Sequence, residues 1–378
     1  MYQWIKREVS KLSSEIGKKI MEQIGSGYFT TNDISIGTET IPALCQNNPK
    51  NVTLVLIRET IAPFIDRSNM PDESVWFRML DGREVIHVPA RKFKSREKMF
   101  GIKLLRYLGI VDRQYRYNHL TARAQLTNPT SVIMGETIVA PGTGEETLSI
   151  PARALYSDVY SIRDRKYITD KLTNNALNEE GTMFDRDKGT TSSAFFQTEY
   201  VIPGVFLPAF ITLKDPTPEL LLHLILSLGQ TSYGASTATT ATNFRNHVIG
   251  IVGSRIEPPV SSYTVSLNYH LSNNDGHHAD KVSFDGVKQH AISQVRDSLT
   301  DGAVLVTDEK LTAFLSYVKS LRFDDAGMQA LYEQARTDIE KYVSYSFDRP
   351  TPKKGKKKGK SRDEDEGSDG DTSGNVQS

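Results

Sequence analysis

Residues 216–229, PTPELLLHLILSLG, leave a folded chain few choices. Thr217 suits a helix N-cap, Pro218 the first helical position and Glu219 the first turn, while Gly229 supplies a stop. Between these marks the helix is apolar on nearly every side, and a helix without a wet face must be buried. The flanking sequence says against what. AFFQTEYVIPGVFLPAFITL (194–213) reads as strand before it, and HVIGIVGSRIE (247–257) and SSYTVSLNYHL (261–271) read as two strands after it. Strand, helix, loop, strand, strand is one half of a ferredoxin-like or RNA-recognition-type sandwich, so the expected fold class is α+β.

The rest of the chain has room for insertions around such a core. At 378 residues it suits two or three folding units, or one core with large additions. Apolar residues at Trp4, Ile5, Val9, Leu12, Ile16, Ile20 and Ile24 predict an N-terminal helix over 1–25. DISIGTETIPALC (33–45) and NVTLVLIRETIAPF (51–64), separated by the turn-rich QNNPKN, predict a hairpin and the first half of the core, 26–68. VWFRMLDGREVIHV (75–88) predicts a second hairpin with Asp81-Gly82 as its two-residue turn. It opens a basic and aromatic insertion, 69–120. Strands and a polar, turn-rich stretch (170–194) fill 121–194, the latter a long loop or an extended hairpin. The second half of the core spans 195–275. Helical spacing over 286–299, 307–321 and 325–344 marks a C-terminal helical region, 276–347. The tail 348–378, with eight basic and seven acidic residues, is too polar to order itself.

Charge and cysteine usage exclude more than they assign. The 46 basic and 46 acidic residues cancel, so only local clustering can indicate a partner. One cysteine, Cys45, rules out a disulfide framework and a Cys-rich zinc module. A charged N-terminus and no long apolar run predict a cytoplasmic protein without a membrane span. No nucleophile elbow and no zinc-protease motif is present, so no enzyme is expected and no cofactor is implied.

Two stretches carry chemistry. Residues 91–116 hold nine basic side chains against Glu97 and Asp112, among them Arg91, Lys92, Lys94, Arg96 and Lys98, with aromatics interleaved. Such a set can neutralise phosphates and stack on bases; an amphipathic helix with Phe100, Leu104, Leu105 and Leu108 as its core face is the alternative, and both can hold. The second stretch is TSYGASTATTATNF (231–244), with seven Ser or Thr among its first twelve residues. Gly234 permits unusual backbone geometry, hydroxyls and amides donate to phosphate oxygens, and Arg245 and Asn246 add charge and a donor fork. A plain surface loop is the other reading. His270, His277, His278 and Asp280 are weak candidate metal ligands. GKKKGKS (355–361) has the wrong spacing and context for a phosphate-binding loop.

PAFITLKDPTPELLLHLILSLGQTSYGASTATTATNFRNHVIGI resembles the backbone subunit of CRISPR Cascade-type surveillance complexes, the large RAMP subunit of type I-D. The resemblance is best over 195–270 and moderate over 26–68. It implies an RNA-recognition-like core with insertions, one of them a thumb hairpin. Copies would stack head to tail along one guide RNA (crRNA), gripping its backbone and leaving sequence to base pairing with a target, expected to be DNA. Other Cascade subunits would be partners. Carried onto this sequence, the RNA-gripping loop is Tyr233, Gly234, Ala235 and Thr237, followed by Arg245 and Asn246; Arg58 and Arg67 are the early core arginines. The thumb falls in 170–194, with Met183 and Phe184 as its wedge. Some relatives carry a zinc insertion that a single cysteine does not support. A metal-dependent RNA nuclease using His277, His278 and Asp280, and a structural assembly protein without nucleic acid, stay open as alternatives.

Overall fold

A computed structural model describes residues 14–66, 73–112, 115–116, 120, 122–138, 148–175, 184–185, 190–191, 195–234, 241–273, 282–322 and 324–348. The N-terminal helix (α1, 14–24) leads to β1 (Ile34–Ile36), β2 (Glu39–Ile41) and β3 (Asn51–Thr60). β4 (Trp76–Arg78) and β5 (Glu84–Val88) precede α2 (Ala90–Tyr107) and α3 (Pro129–Met134). Then come β6 (Glu136–Ile138), β7 (Leu148–Ile150), β8 (Ala154–Tyr156), β9 (Val159–Asp164) and β10 (Thr169–Asn175). The short β11 (Phe184–Asp185) and β12 (Thr190–Thr191) lie before β13 (Phe195–Val201), β14 (Phe206–Lys214) and α4 (Pro218–Ser227). β15 (Phe244–Ser254), α5 (Ser262–Asn273), α6 (Phe284–Ser298), β16 (Val304–Val306), α7 (Asp308–Leu321) and α8 (Asp325–Phe347) follow.

The central sheet runs β16-β15-β3-β14-β8, every neighbour antiparallel. Taken along the chain, β3, α2, β8, β14, α4 and β15 are the strand-helix-strand-strand-helix-strand of a ferredoxin-like unit. The expected α+β class is what the structure shows. α4 starts as its sequence dictates, with the Thr217 hydroxyl accepting from the Leu220 amide at 3.3 Å and Pro218 in the first turn. It is buried along its whole length.

Both faces of the central sheet are covered, which explains why β3 is buried from Asn51 to Arg58 without alternation. Val52, Leu54 and Leu56 point to the layer of α2 and α4; Val55 and Ile57 point to α5 and α6, where Val265, Tyr269, Val287 and Ala291 pack. The second layer is where the sequence reading is corrected. SSYTVSLNYHL is not a strand but α5, because its buried residues are Ser262, Val265, Ser266 and Tyr269, a helical spacing in which two serines count as core. Ser266 is accommodated by donating its hydroxyl to the Ser161 carbonyl at 2.6 Å.

Two further corrections concern hairpins. Residues 33–45 do not pair with β3: β1 and β2 pair with each other, and β3 takes β14 and β15 as neighbours. Long-range burial of β3 outweighs the local turn. The β4–β5 hairpin exists, but the Met79 amide donates to the Arg83 carbonyl at 2.8 Å and extends the ladder, while the Met79 carbonyl accepts from the Gly82 amide at 3.0 Å. The loop is therefore Leu80-Asp81-Gly82, with Gly82 at φ +87°. The stretch read as 170–194 begins as β10, which pairs with β13 in continuous register from Thr169↔Val201 to Asn175↔Phe195. The helices expected near 286–299, 307–321 and 325–344 match α6, α7 and α8 closely.

One polar joint ties three helices. His223 on α4 meets Thr130 of α3 through Nε2 (2.7 Å) and the Tyr332 hydroxyl of α8 through Nδ1 (2.7 Å). Burial pushes His223 down from 6.5 to about 3. In that window the unfolded chain binds a proton that the folded chain refuses, so stability is full above pH 6.5 and falls as the pH drops toward 3. The expected contribution is a slope of up to about 1.4 kcal/mol per pH unit, lost in His223→Gln, as urea melts across pH 4 to 7 would report.

Candidate nucleic-acid interface

Strand parity places Arg58. On β3 the even-numbered residues face α2, and Arg58 follows Val52, Leu54 and Leu56 onto that side. Its guanidinium is buried and pairs through Nη1 with Glu97 Oε1 at 2.6 Å and with Asn246 Oδ1 at 2.9 Å. Asn246 is its cross-strand partner on β15. The guanidinium lies 4.0 Å from the centre of the Phe93 ring. Burial alone would push Arg58 down, but the Glu97 carboxylate outweighs it and holds the group charged.

Tyr233 completes this network. Its hydroxyl donates to Glu97 Oε1 at 2.9 Å and accepts from Asn246 Nδ2 at 2.9 Å. Burial and the Glu97 charge push Tyr233 far up, so it stays a donor. Tyr156 on β8 is half-buried with its hydroxyl inside, and is raised for the same two reasons. Below lies an aromatic bed in which Phe64, Phe93, Tyr233 and Phe244 meet edge to face at 4.8 to 5.4 Å.

The hydroxyl-rich loop springs from this base through a tied neck. The Tyr233 amide donates to Asn243 Oδ1 and Asn243 Nδ2 returns to the Tyr233 carbonyl, both at 2.9 Å. Outside that pair, the Thr242 amide meets Ser232 Oγ at 3.0 Å and the Phe244 amide meets the Thr231 carbonyl at 3.0 Å. Gly234 leaves the neck at φ +94°, and a Cβ there would stand 2.7 Å from the Ile65 carbonyl oxygen. Arg96 Nη2 donates to the Gly234 carbonyl at 2.7 Å, fixing the exit from the side of α2.

The expected contact residues therefore divide. Arg58, Arg96, Tyr233, Gly234 and Asn246 come together as the loop's base. Arg245 is largely exposed and 3.6 Å from Glu59. Arg91 is exposed on the first turn of α2. Lys92 pairs with Asp66, and Lys98 pairs with Glu136 at 2.6 Å. Lys94 donates to the Ala154 carbonyl at 3.2 Å and is pushed down by burial and by the Lys98 charge. Phe184 opens β11 opposite Thr191. Arg67, Met183, Ala235, Thr237, His277, His278 and Asp280 lie outside the described residues. Among the described residues no group of three His, Cys, Asp or Glu is placed to hold a metal.

Sequence reasoning missed Glu97 and Asn243. Glu97 is the only acid in α2 and falls four residues after Phe93, on the buried face; a lone carboxylate on the core side of a basic helix was the available signal. That face, Phe93, Glu97, Lys98, Gly101, Ile102 and Leu105, is rotated from the one expected: Phe100 and Leu104 are only half-buried.

These features define a class: a ferredoxin-like α+β protein with insertions, its second sheet face closed by helices and the neck of a polar loop tied to a buried ionic base. The chain belongs to the Csc2 CRISPR family, whose profile matches residues 84–332. The crystal structure of Thermofilum pendens Csc2 is similar to it, with a TM-score of 0.52 at 15% identity over 86% of this chain and 98% of that one. A weaker likeness, TM-score 0.44 at 10% identity over 69% of this chain and 93% of the other, is to a chain of a CRISPR RNA-guided surveillance complex in a pre-nicking state. Comparison with curated protein sequences gives no match.

Two outcomes test the base. Glu97→Gln leaves Arg58 buried beside a neutral partner and is expected to cost about 3 to 5 kcal/mol in a urea melt. Gly234→Val, blocked by the Ile65 carbonyl, is expected to lower the melting temperature and release the neck, seen as faster amide exchange at Tyr233 and Phe244.

Proposed function

We propose that this chain is a non-catalytic backbone subunit of a type I-D CRISPR surveillance complex in the cytoplasm. It grips the sugar-phosphate backbone of a guide RNA without reading its sequence. The observation that carries the reading is the tied neck at Tyr233 and Asn243, which presents the hydroxyl-rich 231–246 loop from a rigid, charged base in a chain of a CRISPR family. Membership of that family supports the guide as the ligand. A rigid base suits a strand that must be held in one path whatever its bases, since phosphate contacts position and do not specify.

Copies stack head to tail along the guide, a heterologous arrangement whose length the RNA sets. The target strand, DNA, pairs with the guide, and other subunits of the complex cap the stack. The ribbon of β10 and β13 is the stem of the thumb, with Met183 and Phe184 as the wedge. Arg91 and Arg245 meet phosphates, together with the donors of 234–242; Arg58 and Lys98 act from within, by holding the loop and α2 in place.

Purification of the chain expressed alone decides the reading. RNA should co-purify, and single-stranded RNA should bind with an affinity independent of sequence. A chain that emerges free of RNA and binds none at low salt would overturn it. Replacing Arg91 or Arg245 by Ala is expected to lower the slope of log affinity against log salt by about 0.7 each on single strands. Lys98→Ala should leave that slope unchanged and lower the melting temperature.

A further inference from the structure

Four rings gather on and beside the small sheet β4-β5-β9, outside the Arg58 network. Phe77 stands on β4, His87 on β5, Tyr160 on β9 and Tyr263 on α5. The register brings them together: Phe77 pairs with Val85, two residues from His87, and His87 pairs with Tyr160. His87 and Tyr160 stack at 4.9 Å and 8°, while Phe77 meets Tyr160 edge on at 5.6 Å and Tyr263 at 6.0 Å. Phe77 nevertheless keeps 41% of its surface exposed. The cluster belongs to neither the Arg58 network nor either hydrophobic core.

We propose that this cluster is a stacking platform for an unpaired base of a single-stranded nucleic acid. It rests on the reading that the chain holds such a strand, and adds to the backbone grip a contact with the bases themselves.

Charge and continuity favour this occupant. The acids beside the platform are already engaged. Asp158 accepts from His87 Nε2 at 2.9 Å and from the Ala90 amide at the start of α2 at 2.8 Å; Asp66 is paired with Lys92. Arg91 follows Ala90, whose amide binds Asp158, and is exposed with no ion pair among the described residues, so it places a cation at the platform's rim. An exposed phenyl ring braced edge-on by neighbouring rings, with a cation beside it, fits a base and its phosphate. The platform also joins the loop. Asp66 follows Ile65, which abuts Gly234, and α2 carries Arg91 at one side and Arg96, bound to Gly234, about 7.5 Å further along. A strand leaving the neck along the first turns of α2 meets the rings next.

The full chain, stripped of RNA at high salt, is titrated by fluorescence anisotropy with three labelled probes of roughly eight units. These are oligouridylate, oligodeoxythymidylate and an abasic ribose-phosphate strand. Oligouridylate is expected to bind about tenfold tighter than the abasic strand. Phe77→Leu, which keeps apolar bulk without a ring, should erase that preference and leave abasic binding unchanged; Phe77→Tyr should retain it. A preference for the ribo- over the deoxy-probe places the base on the guide, and the reverse places it on the target strand; both uphold the platform. Equal binding of based and abasic probes by the unaltered chain overturns the platform and leaves the backbone grip standing, as does a Phe77→Leu loss that falls equally on both. A Phe77→Leu chain that keeps its preference and changes only its self-association makes the face a protein interface and also overturns it. Binding of no probe overturns grip and platform together.

Discussion

The Arg58–Glu97 pair is the interaction on which the rest of the site depends. It joins the middle strand of the sheet to α2 in a dry interior, where an unpaired charge would cost several kcal/mol. That cost makes the geometry obligatory. Glu97 must face the sheet, so α2 has one rotation about its axis, and Arg91, Lys92 and Arg96 fall on the sides that rotation leaves them. Asn246 must stand opposite Arg58, which fixes the register of β15 and the point where the hydroxyl-rich loop ends. Tyr233 must reach Glu97, which fixes where the loop begins.

The closed second face of the sheet separates this fold from RNA-recognition domains in one respect. RNA-recognition domains stack bases on the open face of a four-stranded sheet. Here α5 and α6 occupy that face, with Val265, Tyr269 and Ala291 packed on Val55 and Ile57. What stays uncovered is the rim: the neck that runs into β15, the start of α2 and the small sheet beyond it. An α+β core of this kind becomes a handle for loops and hairpins rather than a binding surface in its own right.

Much of the fold was legible because burial leaves a periodic mark. α4 announced itself by caps and by the lack of a wet face, β3 by strand-like composition after a turn-rich segment, and α6 to α8 by their spacing. The misreadings have physical causes. α5 hid behind buried serines, whose hydroxyls are satisfied by Ser161 and other partners and so do not behave as surface residues. The pairing of β3 was decided by distant strands, which no local turn signal encodes. For the site, the residue types at 231–246 pointed to the loop, but nothing in the sequence told Arg58 from Arg91. One is interior structure and the other is surface charge, and only the fold separates them. Glu97 was passed over for a related reason: a carboxylate in a basic run looks like solvent-facing relief, and its spacing from Phe93 was the one sign against that.

The reciprocal bonds between Tyr233 and Asn243 have an evolutionary consequence. They close the loop at its root, so the sheet and helices register only that the root is closed, not what hangs from it. The entropy of closing a longer excursion grows only with the logarithm of its length. Residues beyond the root can therefore be added, deleted or exchanged at little thermodynamic cost to the core. Lineages of such chains are free to edit what hangs from the root, while the ionic lock beneath it stays as it is.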